Sequence, residues 1–292
     1  MIHVQLKSSR MSEHRAGLTL YRIAAYLFLA IVSFLCLFFF YILIINATRA
    51  HSEIQTGFSF LPGKSLQANW NSLLSNNELP MFQGILNSLF ISACTAALAT
   101  YFSSLTAYAI HAYDFKLKKF AFKFILLVMT VPSQVATLGF LRIVNGWGWM
   151  DSYLPLIVPA VSSPIVFFFM KQYMESTLPL EIVEASRIDG SGEFATFNRI
   201  VIPIMKPAIA VQAIFTFVGA WNNYFFPALV IKSASKKTLP ILIAQLRSAD
   251  WLKFNMGQVY MAIALAILPI IIVYLCLSRF IVRGVTLGSV KG

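Results

Sequence analysis

Charge is scarce in this chain, and acid scarcer still: 12% of its 292 residues are Asp, Glu, Lys or Arg, and only 11 are acidic. Most of those acids lie in loops, so no pair of carboxylates sits where general acid–base chemistry could use it, and the sequence argues against an enzyme. Cysteine is almost absent as well. Cys36, Cys94 and Cys276 fall inside apolar runs without metal-ligand spacing and read as lipid- or core-facing side chains. His3, His14, His51 and His111 are scattered and unpaired, so no metal site is expected. A phosphate-binding loop is missing too. Gly63-Lys64-Ser65 suggests one, but the preceding glycine, Gly57, lies one residue too far upstream, with no strand before it and no clear helix start after it. Any ATP that drives this protein is therefore bound by another chain.

What is present is apolar. Hydrophobic residues make up 58% of the chain and mean hydropathy is +0.74, which places it with integral membrane proteins. Six runs are long enough to span: Ile23 to Asn46, Met81 to about Tyr113, Phe124 to about Val144, Pro155 to Tyr173, Ala208 to Ile231, and Gly257 to Ile281. As a helix the first would be about 36 Å long. Some twenty polar residues precede it, too many for a cleavable signal, and it should remain as a span. Pro132 should break the third run, while Pro159, Pro164, Pro227 and Pro269 should kink or interrupt others. This divides the chain into an N-terminal segment 1–22, a membrane domain 23–281 and a tail 282–292.

The net charge of +12 suggests nucleic acid until its distribution is considered. Fifteen of the 23 Lys and Arg residues fall in the N-terminus, the second and fourth loops with their flanks, and the tail; eight fall on the other side. That asymmetry is the membrane pattern and puts both termini in the cytoplasm. The fifth loop runs against it, with Lys232, Lys236, Lys237, Arg247 and Lys253 outside. Within the fifth run, Trp221-Asn222-Asn223-Tyr224 places carboxamides at membrane depth, where they should face protein or a water-filled path.

The most informative stretch lies between the fourth and fifth runs, about 175–207. Pro179 suits a helix start, Glu181 and Glu184 put negative charge near its N-terminus, and Gly190 falls where a helix ends in a left-handed residue. Ser191 then reads as an N-cap, and Phe194, Phe197 and Val201 recur at helical spacing until Pro203 and Pro207 end the run. Two short helices should meet at a glycine bend.

Glu184, Ala185, Gly190, Ile200 and Pro203 stand at the spacing of a known signature, and the segment resembles the cytoplasmic coupling loop of ABC importer permeases. Two positions depart from that pattern, with Ser186 for the second Ala and Ile202 for Leu; both are small changes of volume. Nearly the whole chain is similar to carbohydrate permeases of the maltose-permease type, through Phe58 to Pro62, Asn69-Trp70, Asn87-Ser88, Val131-Pro132 to Gly146, Asp151 to Tyr153, Trp221-Asn222, Pro269, Gly284 and the tail Gly288 to Gly292. Asn223 stands where that family often has an acid. The resemblance implies an all-α, six-span membrane protein of the type I ABC importer permease fold. It also implies a second homologous permease subunit, an ATPase dimer that binds ATP and Mg, an external sugar-binding protein and a prokaryotic plasma membrane, with no nucleic acid. Glu184, Ala185, Ser186, Asp189, Gly190, Ile200 and Pro203 would meet the ATPase, and Lys236, Lys237 and Arg247 the binding protein. A self-contained channel or secondary transporter is the alternative. It would need a charged or ion-binding group at mid-membrane, and no acid lies in any span core.

Overall fold

The computed structural model describes residues 2–75, 79–248 and 254–288, so Lys253 and residues 289–292 of the family-like tail lie outside the described residues. Every regular element among them is helical. In chain order these are α1 (Ile2–Ala47), α2 (His51–Gln55), α3 (Leu66–Leu74), α4 (Met81–Ala112), α5 (Lys118–Val128), α6 (Ser133–Gly146) and α7 (Leu154–Ile157). There follow α8 (Pro164–Thr177), α9 (Leu180–Ile188), α10 (Glu193–Thr196), α11 (Ile202–Trp221), α12 (Phe225–Val230), α13 (Leu239–Arg247) and α14 (Met256–Gly288). The chain forms two compact units, Met1–Trp70 with Asn255–Ala264, and Asn71–Phe254 with Leu265–Gly292.

In the first unit, α1 turns most of its apolar side chains outward from Tyr21 to Ile44, as a lipid-facing helix does. Its end is closed by Arg49, only 7% exposed. The guanidinium bonds Asn46 Oδ1 (3.2 Å), Gly57 O (3.0 Å) and the Glu53 carbonyl, so a buried charge is satisfied by neutral acceptors. Asn69 donates to Ala47 O and Arg49 O, both at 2.9 Å. Gly257 allows this packing: a Cβ there would lie 2.6 Å from Asn69 Nδ2 and 2.7 Å from Arg49 O. The suspected phosphate loop is a packed corner, with Gly63 N–H on Thr48 Oγ1 and Ser65 N–H on Thr48 O.

The second unit is built around α4. Gly84, Ser88, Ser92, Ala96, Thr100, Ser104 and Tyr108, each four residues from the last, are all buried, and α8 and α11 pack along this seam. Apolar surface gains little by leaving lipid, so helices associate here by close backbone approach, which small residues permit. Fit takes precedence over hydrogen bonding at two places: Ser92 Oγ and Ser104 Oγ are buried without a partner among the described residues.

Among the described residues five helices are long and apolar enough to cross a membrane: Tyr21–Ala47, Met81–Ala112, Leu154–Thr177, Glu193–Trp221 and Met256–Phe280. The third expected span is two pieces. α5 stops at Val128 and α6 starts after Pro132, whose backbone is extended (ψ 125°), so neither half reaches span length. In the fourth, Pro159 sits in a 3-10 turn (Val158–Val161), and α8 begins at Pro164.

The expected stop at Pro203 and Pro207 does not occur. A π turn over Phe197–Val201 widens the helix just before Pro203, with Ile202 N–H reaching Phe197 O, and the extra residue absorbs a site that cannot donate. The helix then runs through Pro207 to Trp221, so the fifth span starts inside the 175–207 segment and ends about ten residues before the expected Ile231.

Candidate functional site

The bend between α9 and α10 is a complete Schellman motif. Gly190 has φ +76°, its N–H bonds Arg187 O (3.0 Å), and Ser191 N–H bonds Ser186 O (2.9 Å). Nothing lies within 4 Å of a Cβ built on Gly190, so glycine is required by backbone conformation and not by space. The N-cap of α10 is Gly192, not the expected Ser191. Ser191 instead accepts a hydrogen bond from Thr196 Oγ1 (2.9 Å), whose oxygen also lies 3.2 Å from Ser186 Oγ. Ser186, standing where the family pattern has Ala, is buried and donates to Val183 O (2.7 Å), so its hydroxyl is accommodated inside the bend.

Side chains of the segment divide into two sets. Val183, Ser186, Thr196, Phe197 and Val201 are buried, while Ile200 is half-buried. Glu184, Ala185, Asp189, Gly190 and Pro203 are exposed. Two exposed residues were not among the expected contacts: Ile188 (86%) and Phe194 (70%) flank the bend with their apolar side chains uncovered. Phe194 reads in sequence as one of a helical triplet, but only Phe197 and Val201 of the three turn inward. The signal that marks the pair is a large apolar residue on each side of a glycine turn.

The bend is braced from α4. Glu193 Oε1 receives Arg187 Nε at 2.8 Å, and Glu193 Oε2 receives the Tyr108 hydroxyl at 3.2 Å. The Arg187 guanidinium lies 5.1 Å from the Tyr113 ring centre. Hydrogen bonding to Glu193, and then to Tyr113, pushes the Arg187 pKa further up, so this cation stays charged. His111 Nε2 lies 3.0 Å from Leu178 O where the segment begins, and Tyr101 OH donates to Asn198 Oδ1 (3.2 Å) where it leaves.

The quartet Trp221 to Tyr224 is split by the end of α11. Trp221 is 2% exposed; it stacks on Phe217 (5.8 Å, 15°) and its indole N–H bonds Ala266 O at 3.1 Å, three residues before Pro269 in α14. Asn222, Asn223 and Tyr224 are exposed in the break before α12, and neither carboxamide has a hydrogen bond among the described residues.

Over residues 232–239 the fifth loop is held as a hydrogen-bonded arch. Asp151, in the left-handed region (φ 55°), accepts the N–H groups of Lys232 and Ser233 at 2.9 Å each and the Ser233 hydroxyl, while Lys236 Nζ bonds its carbonyl (2.6 Å) and Oδ2 (3.3 Å). These bonds, the Ser233 hydroxyl foremost, hold the Asp151 carboxyl well below the usual carboxylate range. From α4, Asn87 Nδ2 donates to Ser235 O (2.8 Å) and Lys237 O (3.0 Å), and Ser88 Oγ accepts from Leu239 N (2.8 Å). Lys237 Nζ bonds Gln245 Oε1 (3.0 Å). Two of the three lysine and arginine residues singled out for an external partner are thus engaged within the arch, and Arg247 is exposed.

Residues 103–287 match the family described as binding-protein-dependent transport system inner membrane component. The arabinooligosaccharides transport system permease protein AraQ of Bacillus subtilis (strain 168) is 33% identical over 287 residues, covering 97% of this chain and 100% of that protein. The sn-glycerol-3-phosphate transport system permease protein UgpE of Yersinia pestis bv. Antiqua (strain Antiqua) is 31% identical, covering 94% and 98%. The lactose transport system permease protein LacG of Rhizobium radiobacter is 29% identical, covering 92% and 96%. A bacterial ABC transporter involved in the import of the acidic polysaccharide alginate shares the fold, with a TM-score of 0.76 at 18% identity over 89% of this chain and 96% of that one. The architecture is that of a type I ABC importer permease, and the importer reading holds over the self-contained carrier. The chain belongs to the binding-protein-dependent transport inner membrane components, as a multi-pass permease component of an ABC importer.

Proposed function

We propose that this chain is one of two homologous permease subunits of an importer for a sugar or oligosaccharide, lining half of the path. Itself not an ATPase, it works with two ATPase subunits that bind ATP and Mg. The observation that carries the coupling role is the bend: Ile188 and Phe194 are exposed apolar residues on either side of it, in a segment whose Glu184 and Asp189 are exposed too, and the turn's own hydrogen bonds are complete. Exposed apolar groups on a rigid, polar-rimmed support suit a protein partner. With both termini in the cytoplasm, as the Lys and Arg distribution favours, the bend faces the ATPase and the arch faces outward. The arch is already ordered, so an external solute-binding protein meets a preorganised surface, with Arg247 available for contact. Asn222 and Asn223, unpaired at the break after α11, are the path-lining candidates. The sugar class rests on AraQ and LacG; UgpE keeps a phosphorylated polyol within range. The test is uptake of labelled oligosaccharides into proteoliposomes holding both permeases and the ATPase, with the cognate binding protein present or omitted. Uptake that needs the binding protein and ATP supports the reading. Solute movement by this chain alone, without ATP, contradicts it.

A further inference from the structure

The coupling segment is joined through the chain to spans four and five, yet the polar contacts bracing it come from span two. Glu193 uses both carboxylate oxygens, one toward Arg187 on α9 and the other toward Tyr108 on α4, and Arg187 in turn lies over Tyr113 at the end of α4. This closes a circuit through α9, α10 and α4. His111 at Leu178 O and Tyr101 at Asn198 add contacts where the segment enters and leaves, and Phe197, fully buried, packs its ring between Tyr101 (5.6 Å) and Tyr108 (5.7 Å).

We propose that Arg187, Glu193, Tyr108 and Tyr113 are positioning residues that fasten the bend to α4, so that displacement of the bend enters the transport bundle through span two. The proposal rests on the reading that the bend docks on the ATPase. The Arg187 and Glu193 side chains are 36% and 47% exposed, so as an ion pair they contribute little to stability. Their effect is geometric: Glu193 cannot move away from α4 without losing Tyr108, and α9 cannot slide past α10 without losing the Arg187 bridge. The arrangement also explains why α4 serves as the common support. The same helix holds the backbone of the external arch through Asn87 and Ser88 near its other end, so both loops are referred to one rod of 32 residues.

The experiment uses the assembled complex of both permeases and the ATPase in proteoliposomes with the binding protein. It reads solute imported per ATP hydrolysed, together with retention of the ATPase on affinity purification. Tyr108→Phe removes a single oxygen, and Glu193→Gln removes the charge at nearly constant volume. Both should keep the ATPase bound and lower import per ATP by roughly 2- to 30-fold, the range seen when residues between coupled sites are altered. A wild-type ratio in both variants overturns the proposal, as does a fall that appears only with loss of the ATPase. If the wild-type permease pair never retains the ATPase, the docking reading itself fails, a result separate from the variants' behaviour.

Discussion

Replacing Gly190 separates conformational strain from steric clash, because the surroundings of the residue are empty. A Cβ there meets nothing within 4 Å, so alanine adds no collision and its whole effect comes from holding an L-residue at φ +76°. That costs about 1–2 kcal/mol, whereas asparagine visits the left-handed region far more readily. If the ATPase binds only the native bend, Gly190→Ala should weaken its affinity by roughly 5- to 30-fold. Gly190→Asn should come much closer to wild type, and Gly190→Val, bulkier and β-branched, should fall below Ala. The assay is titration of purified ATPase subunits onto the permease pair in nanodiscs, read as a dissociation constant for each variant. Equal weakening by Ala and Asn, or wild-type affinity for Ala, would refute the reasoning, since it would mean that the backbone conformation at this position does not govern docking.

Three further outcomes are expected. Asn222→Leu and Asn223→Leu should lower solute uptake while leaving assembly intact; uptake undiminished in both takes these amides out of the path. Ser104→Ala should leave thermal stability unchanged or raised, because it removes a buried hydroxyl with no described partner, whereas Ser104→Leu should cost about 1–3 kcal/mol by overfilling the α4 seam; the check is thermal unfolding in detergent. Asp151 has a depressed pKa, so its contribution to holding the arch is complete above the unfolded value of about 3.9 and is lost only as pH falls through the lower folded value. Hydrogen-exchange protection of residues 231–239, corrected for intrinsic rates, should therefore be flat from pH 8 to about 5, and a change in that interval contradicts the clamp.

Much of this was legible in the sequence where a local rule decides the outcome. Apolar run length located four spans within a few residues, and Gly190 announced a left-handed stop because a helix C-terminus has few other solutions. Local rules erred where distant residues intervene. Pro203 and Pro207 read as terminators, but the π turn before them and the packing of Phe197, Val201 and Met205 into the core hold the helix together through both. By contrast, the break expected at Pro132 is there: α5 stops at Val128 and α6 starts after Pro132, so the third run is two short helices, neither of span length. The fifth-loop lysines looked available because a sequence shows charge and not partners; Asp151, 85 residues before Lys236, takes one of them. The Tyr108–Glu193 contact bridges the same separation, and neither residue carries a local signal of it. Ile188 and Phe194 escaped notice for the opposite reason, since apolar residues in a helical pattern are ordinarily assigned to the core.

The central claim, that the bend seats on the ATPase, is tested most directly by Glu184→Lys in the complete importer. Glu184 is exposed on α9, four residues before Ile188, so reversing its charge should leave the permease folded while placing, on the proposed docking, a cation where the partner would meet an anion. Breaking one side of a partly desolvated interfacial pair costs about 2–5 kcal/mol, enough to release the partner at micromolar concentrations. Affinity purification from membranes, with uptake measured in parallel, should then recover the two permeases together without the ATPase, and import should be lost. Recovery of the ATPase at wild-type level with undiminished import would contradict the account.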